Sequence, residues 1–286
     1  MRVAVEGHVA THISPVVLRQ EVGRRIRQAR QNAELTVVEA AERLELTRSA
    51  LSRLENGISR ITVHLLRSMM DVYDERMDDV LDLIRQARKT GWWKQYGISD
   101  HDFVALETGA SRISNYEVTF VPGLLQTADY AQALFESSWK ARTEEWITNR
   151  LAVRLTRQER LTDEENPLEL DAVVHEIALR RPVGKPSVMR NQLQHLALIN
   201  ELPTVTLRVI PSAVVSTEAM IGPFSILDFP SIGLPSISYV SHPLGEERQD
   251  KSEYVEPARL LFAHLRSLAL APAESVGLIE QVADGL

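Results

Sequence analysis

Residues 46–57 read LTRSALSRLENG: a cap, an apolar stripe, two arginines and a glycine stop within twelve positions. Thr47 is a good N-cap whose hydroxyl can accept from the backbone N–H of Ala50, and Gly57 after Asn56 ends the helix, so about three turns are expected. Ala50, Leu51 and Leu54 recur at helical spacing and should face a core. Arg48, Ser49, Ser52 and Arg53 are then left outward or at its edge.

Upstream, LTVVEAAERLE (35–45) predicts a second short helix, opened by the capping box Thr36-Val-Val-Glu39, with Val38, Ala41 and Leu44 on its apolar side. Only Glu45 and Leu46 separate it from the Thr47 cap. Two capped helices joined so tightly match the helix-turn-helix, whose second helix enters the DNA major groove while the first crosses the backbone. Arg48 and Arg53 can each offer a guanidinium fork to guanine O6 and N7, worth about 1–3 kcal/mol of discrimination per contact. Ser49 and Ser52 are weaker readers. Thr36 and Thr47 at helix N-termini, with Arg60 in the following loop, are candidate phosphate contacts, which position without specifying.

Residues 16–73 resemble the lambdoid-repressor (Cro/C1, or XRE) type of helix-turn-helix: VVLRQEVGRRIRQARQNA, then LTVVEAAERLELTRSALSRLENG, then a loop and TVHLLRSMMDVY. That resemblance implies base contacts from the start of the recognition helix and about one turn later, here Arg48, Ser49 and Arg53, with Ser52 an outer candidate. It also implies an ion pair between an arginine late in the first helix and the glutamate before Asn-Gly, here Arg30 with Glu55. The turn commonly carries Gly where this chain has Glu45. A left-handed conformation there would cost a non-Gly residue on the order of 1 kcal/mol.

Charge is asymmetric. The chain carries 32 Lys+Arg against 39 Asp+Glu, net −7, which argues against a nonspecific nucleic-acid coat. Residues 16–68 hold ten Arg and six Glu, or +4, so the remainder sums to −11. This fits a DNA-reading head on a body with another task, and so small a head charge predicts weak binding by a single copy. With 44% hydrophobic and 25% charged residues the composition is that of a globular protein. No apolar run reaches the roughly 18–20 residues that span a membrane. The absence of cysteine excludes disulfides and Cys-ligated zinc and fits a reducing cytoplasm.

Three segments are expected: a loose arm over 1–15, an all-α helix-turn-helix domain over 16–90, and a mixed α+β domain over 91–286, giving an α+β chain. MRVAVEGHVATHISP lacks the charged start and apolar core of a signal peptide. MDDVLDLIRQARKT (77–90) reads as the last helix of the head, broken by GWWKQYG, and Trp92 and Trp93 suggest a joint packed against the second domain. Beyond it, residues 99–138 predict a Ser99-capped helix with Asp100-His101-Asp102 in its first turn, an extended stretch from Tyr116 to Phe120, a Pro122-Gly123 turn and another helix. A long helix over 144–162 is followed by the β-like LELDAVVHE, the helix SVMRNQLQHLALINEL, strands in TVTLRVIP, GPFSILDF and SISYVSH, and two closing helices.

YEVTFVPGLLQTADYAQAL, VVHEIALRRPVG, LRVIP with GPFSILDF, and FAHLRSLALAPAES resemble the C-terminal domain of the WhiJ-like, or Scr1-type antitoxin-like, regulators of actinobacteria. The resemblance implies a transcriptional regulator whose second domain receives a signal, from a small partner protein or a ligand. Within that domain Glu107, Tyr116, Arg180 and Arg181 are the candidates for a cleft or partner surface; Tyr116 as core and the arginines as solvated is the bland alternative.

The expected protein is a homodimer on double-stranded DNA, cytoplasmic and nucleoid-associated when bound, with no membrane partner. One alternative is an antitoxin-like protein that mainly sequesters its partner, and another an enzyme in residues 91–286. Catalysis is not expected: the eight histidines form no H-x3-H or HExxH arrangement, His175-Glu176 stands alone, and phosphate-loop and G-x-S-x-G signatures are missing. No metal and no cofactor are expected.

Overall fold

The computed structural model describes residues 14–99, 103–220, 222–242 and 244–286. The arm expected over 1–15 falls mostly outside these residues, as does Asp100-His101-Asp102. Ser14 and Pro15 are described, and they begin the first helix. The chain forms two compact units: one runs to Gly109 and includes Pro230–Leu234; the other holds Ala110–Phe229 and Pro235–Leu286. The division thus lies between Gly109 and Ala110, where the sequence suggested a boundary near 90. Trp93, fully buried, belongs to the first unit, in a 3-10 turn over Trp92–Tyr96.

The first unit is all-helical: α1 (Pro15–Asn32), α2 (Val37–Arg43), α3 (Arg48–Glu55), α4 (Val63–Tyr73), α5 (Asp78–Ala87) and the short α6 (Phe103–Glu107). Hydroxyl caps open the first four. Ser14, Thr36, Thr47 and Thr62 accept from the N–H groups of Val17, Glu39, Ala50 and Leu65, satisfying donors that the helix leaves unpaired.

The same four helices also close alike. Glu34, Glu45, Gly57 and Asp74 take positive φ of 58°, 55°, 66° and 52°. The next N–H then reaches back to the last turn: Leu35 to Arg30 O, Leu46 to Ala41 O, Ile58 to Arg53 O and Glu75 to Met70 O, at 2.8–3.2 Å. Three of these left-handed positions are not glycine. Val22, Ile26, Leu51, Leu66 and Met69 fill the centre beneath the caps. Gly23 is fixed by packing: a Cβ there would stand 2.6 Å from Glu55 O and 2.7 Å from Leu54 O, so α1 approaches the end of α3 to backbone contact.

The second unit is built on a six-stranded sheet of β1 (Arg112–Glu117), β2 (Glu169–His175), β3 (Val205–Ile210), β4 (Phe224–Phe229), β5 (Leu234–His242) and β6 (Gly245–Gln249), in the order β3-β2-β1-β4-β5-β6. β1, β2 and β3 are parallel, β4 is antiparallel to β1, and β6 is antiparallel to β5. The parallel steps cross over through helices: α7 (Ala128–Glu136) and α8 (Glu144–Gln158), then α9 (Glu176–Arg180) and α10 (Pro186–Ile199). α11 (Ser252–Leu268) and α12 (Pro272–Asp284) end the chain. α12 packs on α10 and β3, while α11 lays Val255, Phe262 and Leu265 on Tyr116, Val173 and Phe224. The chain is α+β. The sequence reading did not include β6, whose GEERQ has no apolar alternation. The extended stretch expected to reach Phe120 stops at Glu117.

Candidate nucleic-acid interface

The interface is built on α2, the turn and α3. In α3 the burial of Leu51 (0%) and Leu54 (6%) fixes the rotation of the helix. Arg48, Ser49 and Arg53 are exposed as a result, and Ser52 is half-buried. α2 is rotated from the expected position: Val38 is 47% exposed, and Ala40 with Ala41 and Leu44 forms the packed side. Sequence spacing of three or four residues does not distinguish Val37-Ala40-Ala41-Leu44 from Val38-Ala41, and the fully packed Ala40 and Ala41 of the core decide it.

The end of α3 is locked to α1 by charge. Arg30 Nε donates to Glu55 Oε1 at 2.6 Å and its Nη2 to Oε2 at 3.0 Å, while Nη1 donates to Leu35 O at 2.7 Å. The carboxylate raises the guanidinium's pKa through this hydrogen bond against the opposing effect of burial. Arg27 adds to the lock, donating to Asn56 Oδ1 at 2.5 Å with Nε 3.5 Å from Glu55 Oε2. Asn56 Nδ2 in turn donates to Ser52 O at 2.8 Å. The sequence reading did not single out Arg27 and Asn56; the signal available for them was the i, i+3 spacing of Arg27 and Arg30 on the helix that receives Glu55.

This network separates two classes of arginine. Arg24 and Arg25 are held by Glu21, and Arg27 and Arg30 by Glu55. Arg48, Arg53 and Arg60, by contrast, are exposed and form no ion pair among the described residues. Arg43 at the end of α2 and Arg67 on α4 are likewise exposed and outside the ion pairs, so the unneutralised positive charge of the motif includes α3 and the loop after it, where phosphates and base edges would be met.

The candidate phosphate contacts differ in the same way. Thr47 uses its hydroxyl as an acceptor for Ala50 N–H at 3.1 Å, which leaves its proton to donate outward. Thr36 is less available: both its backbone N–H (2.8 Å) and its hydroxyl (2.7 Å) donate to Glu39 Oε2. Those two bonds hold the Glu39 carboxyl below the usual range. A phosphate would have to displace that carboxylate from the helix N-terminus.

In the rest of the chain the four candidates for a cleft have different surroundings. Glu107 is buried on α6 of the first unit, and Tyr116 is fully buried in the second, where its hydroxyl donates to Ala219 O at 2.6 Å. Tyr116 is a core residue because β1 is a central strand covered by α11. Arg180 is exposed and paired with Glu176 at 2.6 Å, and Arg181 lies 5.3 Å over the Phe120 ring. His175 caps α9, its Nδ1 accepting from Ile177 N–H at 3.2 Å, and burial lowers its pKa so that the ring stays neutral. Glu176 Oε2 accepts from Ser212 N–H at 2.7 Å. Burial raises this carboxyl, but the Ser212 and Arg180 hydrogen bonds outweigh it and keep it ionised. The pair thus does structural work at a strand-to-helix junction. Among the described residues no group of three or more His, Asp or Glu is arranged to hold a metal, and no helix is long and apolar enough to cross a membrane.

Two family models match the chain. A helix-turn-helix domain model matches residues 21–83, which contain α2, the turn and α3. A second model, described as a domain of unknown function (DUF5753), matches residues 100–281. No curated protein and no solved structure matches the chain. The first match, with the exposed arginines of α3, makes the chain a DNA-binding regulator. The second covers more than half of its length, and the chain belongs to the DUF5753 family, with a helix-turn-helix head before the family's domain.

Proposed function

We propose that the chain is a sequence-specific transcriptional regulator of the XRE type, whose head reads the major groove with Arg48, Ser49 and Arg53 and whose C-terminal domain pairs two copies and receives a signal. The observation that carries this reading is that Arg48, Arg53 and Arg60 form no ion pair among the described residues, while Arg24, Arg25, Arg27 and Arg30 of the first helix are held by carboxylates. Charges left unneutralised on one face of a rigid helix are arranged for a polyanion outside the protein. Ser52, half-buried beside Asn56, is the outer candidate for a base contact, and Thr47 and Arg60 hold the backbone.

One head of this size buries limited surface on DNA, and two heads reading half-sites about one helical turn apart supply useful affinity. Pairing through the C-terminal domain is the economical route. The signal reaches that domain from a small protein or ligand, in the manner of the WhiJ-like and Scr1-type antitoxin-like regulators that its sequence resembles. Such a signal acts by binding the DNA-competent and DNA-incompetent arrangements with different affinity. The protein is cytoplasmic, is found on the nucleoid when bound, and is not an enzyme.

Genome-wide occupancy in the source organism tests the reading. Discrete, two-fold symmetric sites that disappear in Arg48→Ala/Arg53→Ala support it. Diffuse occupancy, or sites that survive the double substitution, would overturn it.

A further inference from the structure

On β1, β2, β3 and β4 alternate residues point to one face of the sheet. At one end of that face Tyr116, Val173, Ile210 and Phe224 are covered by α11 and form an apolar core. At the other end the same alternation continues with Arg112 and Ser114 on β1, Glu169 and Asp171 on β2, and Asp228 on β4. Sheet faces covered by helices are ordinarily apolar, above all on central strands such as β1 and β2. Here α11 closes only half of the face, and over the polar half it presents Arg259 and Arg266 beside Phe262. Between helix and sheet lies an open cleft of about 390 Å³, lined by these groups together with Thr206, Ile226 and Phe262. That volume is within the range of small-molecule sites.

The charges of the cleft are balanced, and two of its three guanidiniums face its carboxylates from the opposite side. Its lining has three guanidiniums, Arg112, Arg259 and Arg266, and three carboxylates, Glu169, Asp171 and Asp228. All three carboxylates stand on strands and form the floor; two of the three guanidiniums hang from α11 as the roof. At one rim Arg112 pairs with Glu169 within the floor at 2.6 Å, and at another the roof is tied to the floor by Arg259 with Asp228 and Ser236. In the middle the tie is loose. Asp171 is held by Arg208 at 2.7 Å, from the floor, while the half-exposed Arg266 stands 3.4 Å from it. A guanidinium has five donors, and this one contact engages a single nitrogen of Arg266.

We propose that this cleft binds a small zwitterion, a molecule bearing both an ammonium and a carboxylate such as an amino acid or short peptide, with its ammonium on the Asp171 floor and its carboxylate on the Arg266 roof. A net anion would face three carboxylates and a net cation three guanidiniums, whereas a molecule with both charges satisfies each side. Phe262 and Ile226 supply an apolar wall for its remaining atoms. The proposal rests on the reading of the C-terminal domain as a receiver and gives that receiver a ligand class.

The test is titration calorimetry on the full-length protein with the twenty protein amino acids and a set of dipeptides, each beside its N-acetyl and C-terminal amide forms, with operator binding measured in parallel. At least one free zwitterion should bind at millimolar concentration or better, and its N-acetyl and amide forms should each bind about tenfold or more weaker, as should the zwitterion to Arg266→Ala. Arg266→Ala without ligand should hold its operator as the parent does, which shows that it is folded. Absence of binding by every zwitterion, equal binding of the N-acetyl form, or undiminished binding by Arg266→Ala would each overturn the cleft assignment. A zwitterion that binds as described but leaves operator affinity unchanged would support the cleft and contradict only the receiver role. Regulation of operator binding by another molecule, with no zwitterion bound, would overturn the cleft and leave the receiver role standing.

Discussion

Arg30 on α1 and Glu55 at the end of α3 meet through two hydrogen bonds of 2.6 and 3.0 Å, with side chains 8% and 3% exposed. The pair spans the helix that would read DNA and the helix that supports it. A buried pair of this kind costs much when one partner is removed and little when both are replaced by apolar residues of similar size. Arg30→Met or Glu55→Leu alone should therefore lower the stability of the head by about 3–5 kcal/mol, and the double substitution should recover most of it. Urea unfolding of the four proteins checks this. Equal losses in the singles and the double would mean that packing, and not the charge pair, sets the cost.

Glu45 takes φ 55° in the turn between α2 and α3, a region that L side chains other than Asn and Asp rarely adopt. Its side chain is exposed, so replacement should lose little packing. Glu45→Gly should stabilise the head by about 0.5–1 kcal/mol, the relief of strain being offset in part by the greater freedom of glycine in the unfolded chain. The midpoint of urea unfolding should rise without a change in slope. A lower midpoint would show that the Glu45 backbone is not strained in solution.

Glu117, at the end of β1, has its carboxyl pushed up to about 7 by burial, against the opposing effects of the Asn115 amide at 3.4 Å and of Arg154. The folded state then binds the proton more tightly than the unfolded state, in which the ordinary value is near 4.5. The stability from this group is present in full below pH 4.5 and is lost as pH rises through about 7. Relative to Glu117→Gln, the parent should lose roughly 2–3 kcal/mol between pH 4 and pH 8. Thermal or urea unfolding of both proteins across that range measures the difference. A constant difference would show that Glu117 is ionised throughout.

What the sequence made legible was local. Thr36, Glu39, Thr47 and Gly57 act within one helical turn of themselves, so caps, stops and the two helices of the motif could be read from spacing. The expected proximity of Arg30 and Glu55 came from resemblance, because nothing in their separation of 25 positions requires it. Val38 was placed on the wrong side of α2 because two apolar stripes fit its seven residues equally well. Tyr116 was proposed for a cleft because a polar neighbourhood in sequence, SRISNYE, says nothing of which alternate residues α11 covers. The cleft over Asp171 was invisible for the same reason. Its charged groups come from β1, β2, β4 and α11, and only the pairing of Arg112 with both Glu169 and Asp228 in the sheet register brings them together.

The central claim, that α3 reads base sequence, is tested most directly by comparing operator and nonspecific duplex binding of the parent with Arg48→Ala and Arg53→Ala over a salt series. Each substitution should lower operator affinity by about 1–3 kcal/mol while changing nonspecific binding far less, so that the specificity ratio falls by about tenfold or more. If operator and nonspecific affinities fall together, with only a shallower salt slope, the two arginines contact phosphate and the sequence is read elsewhere.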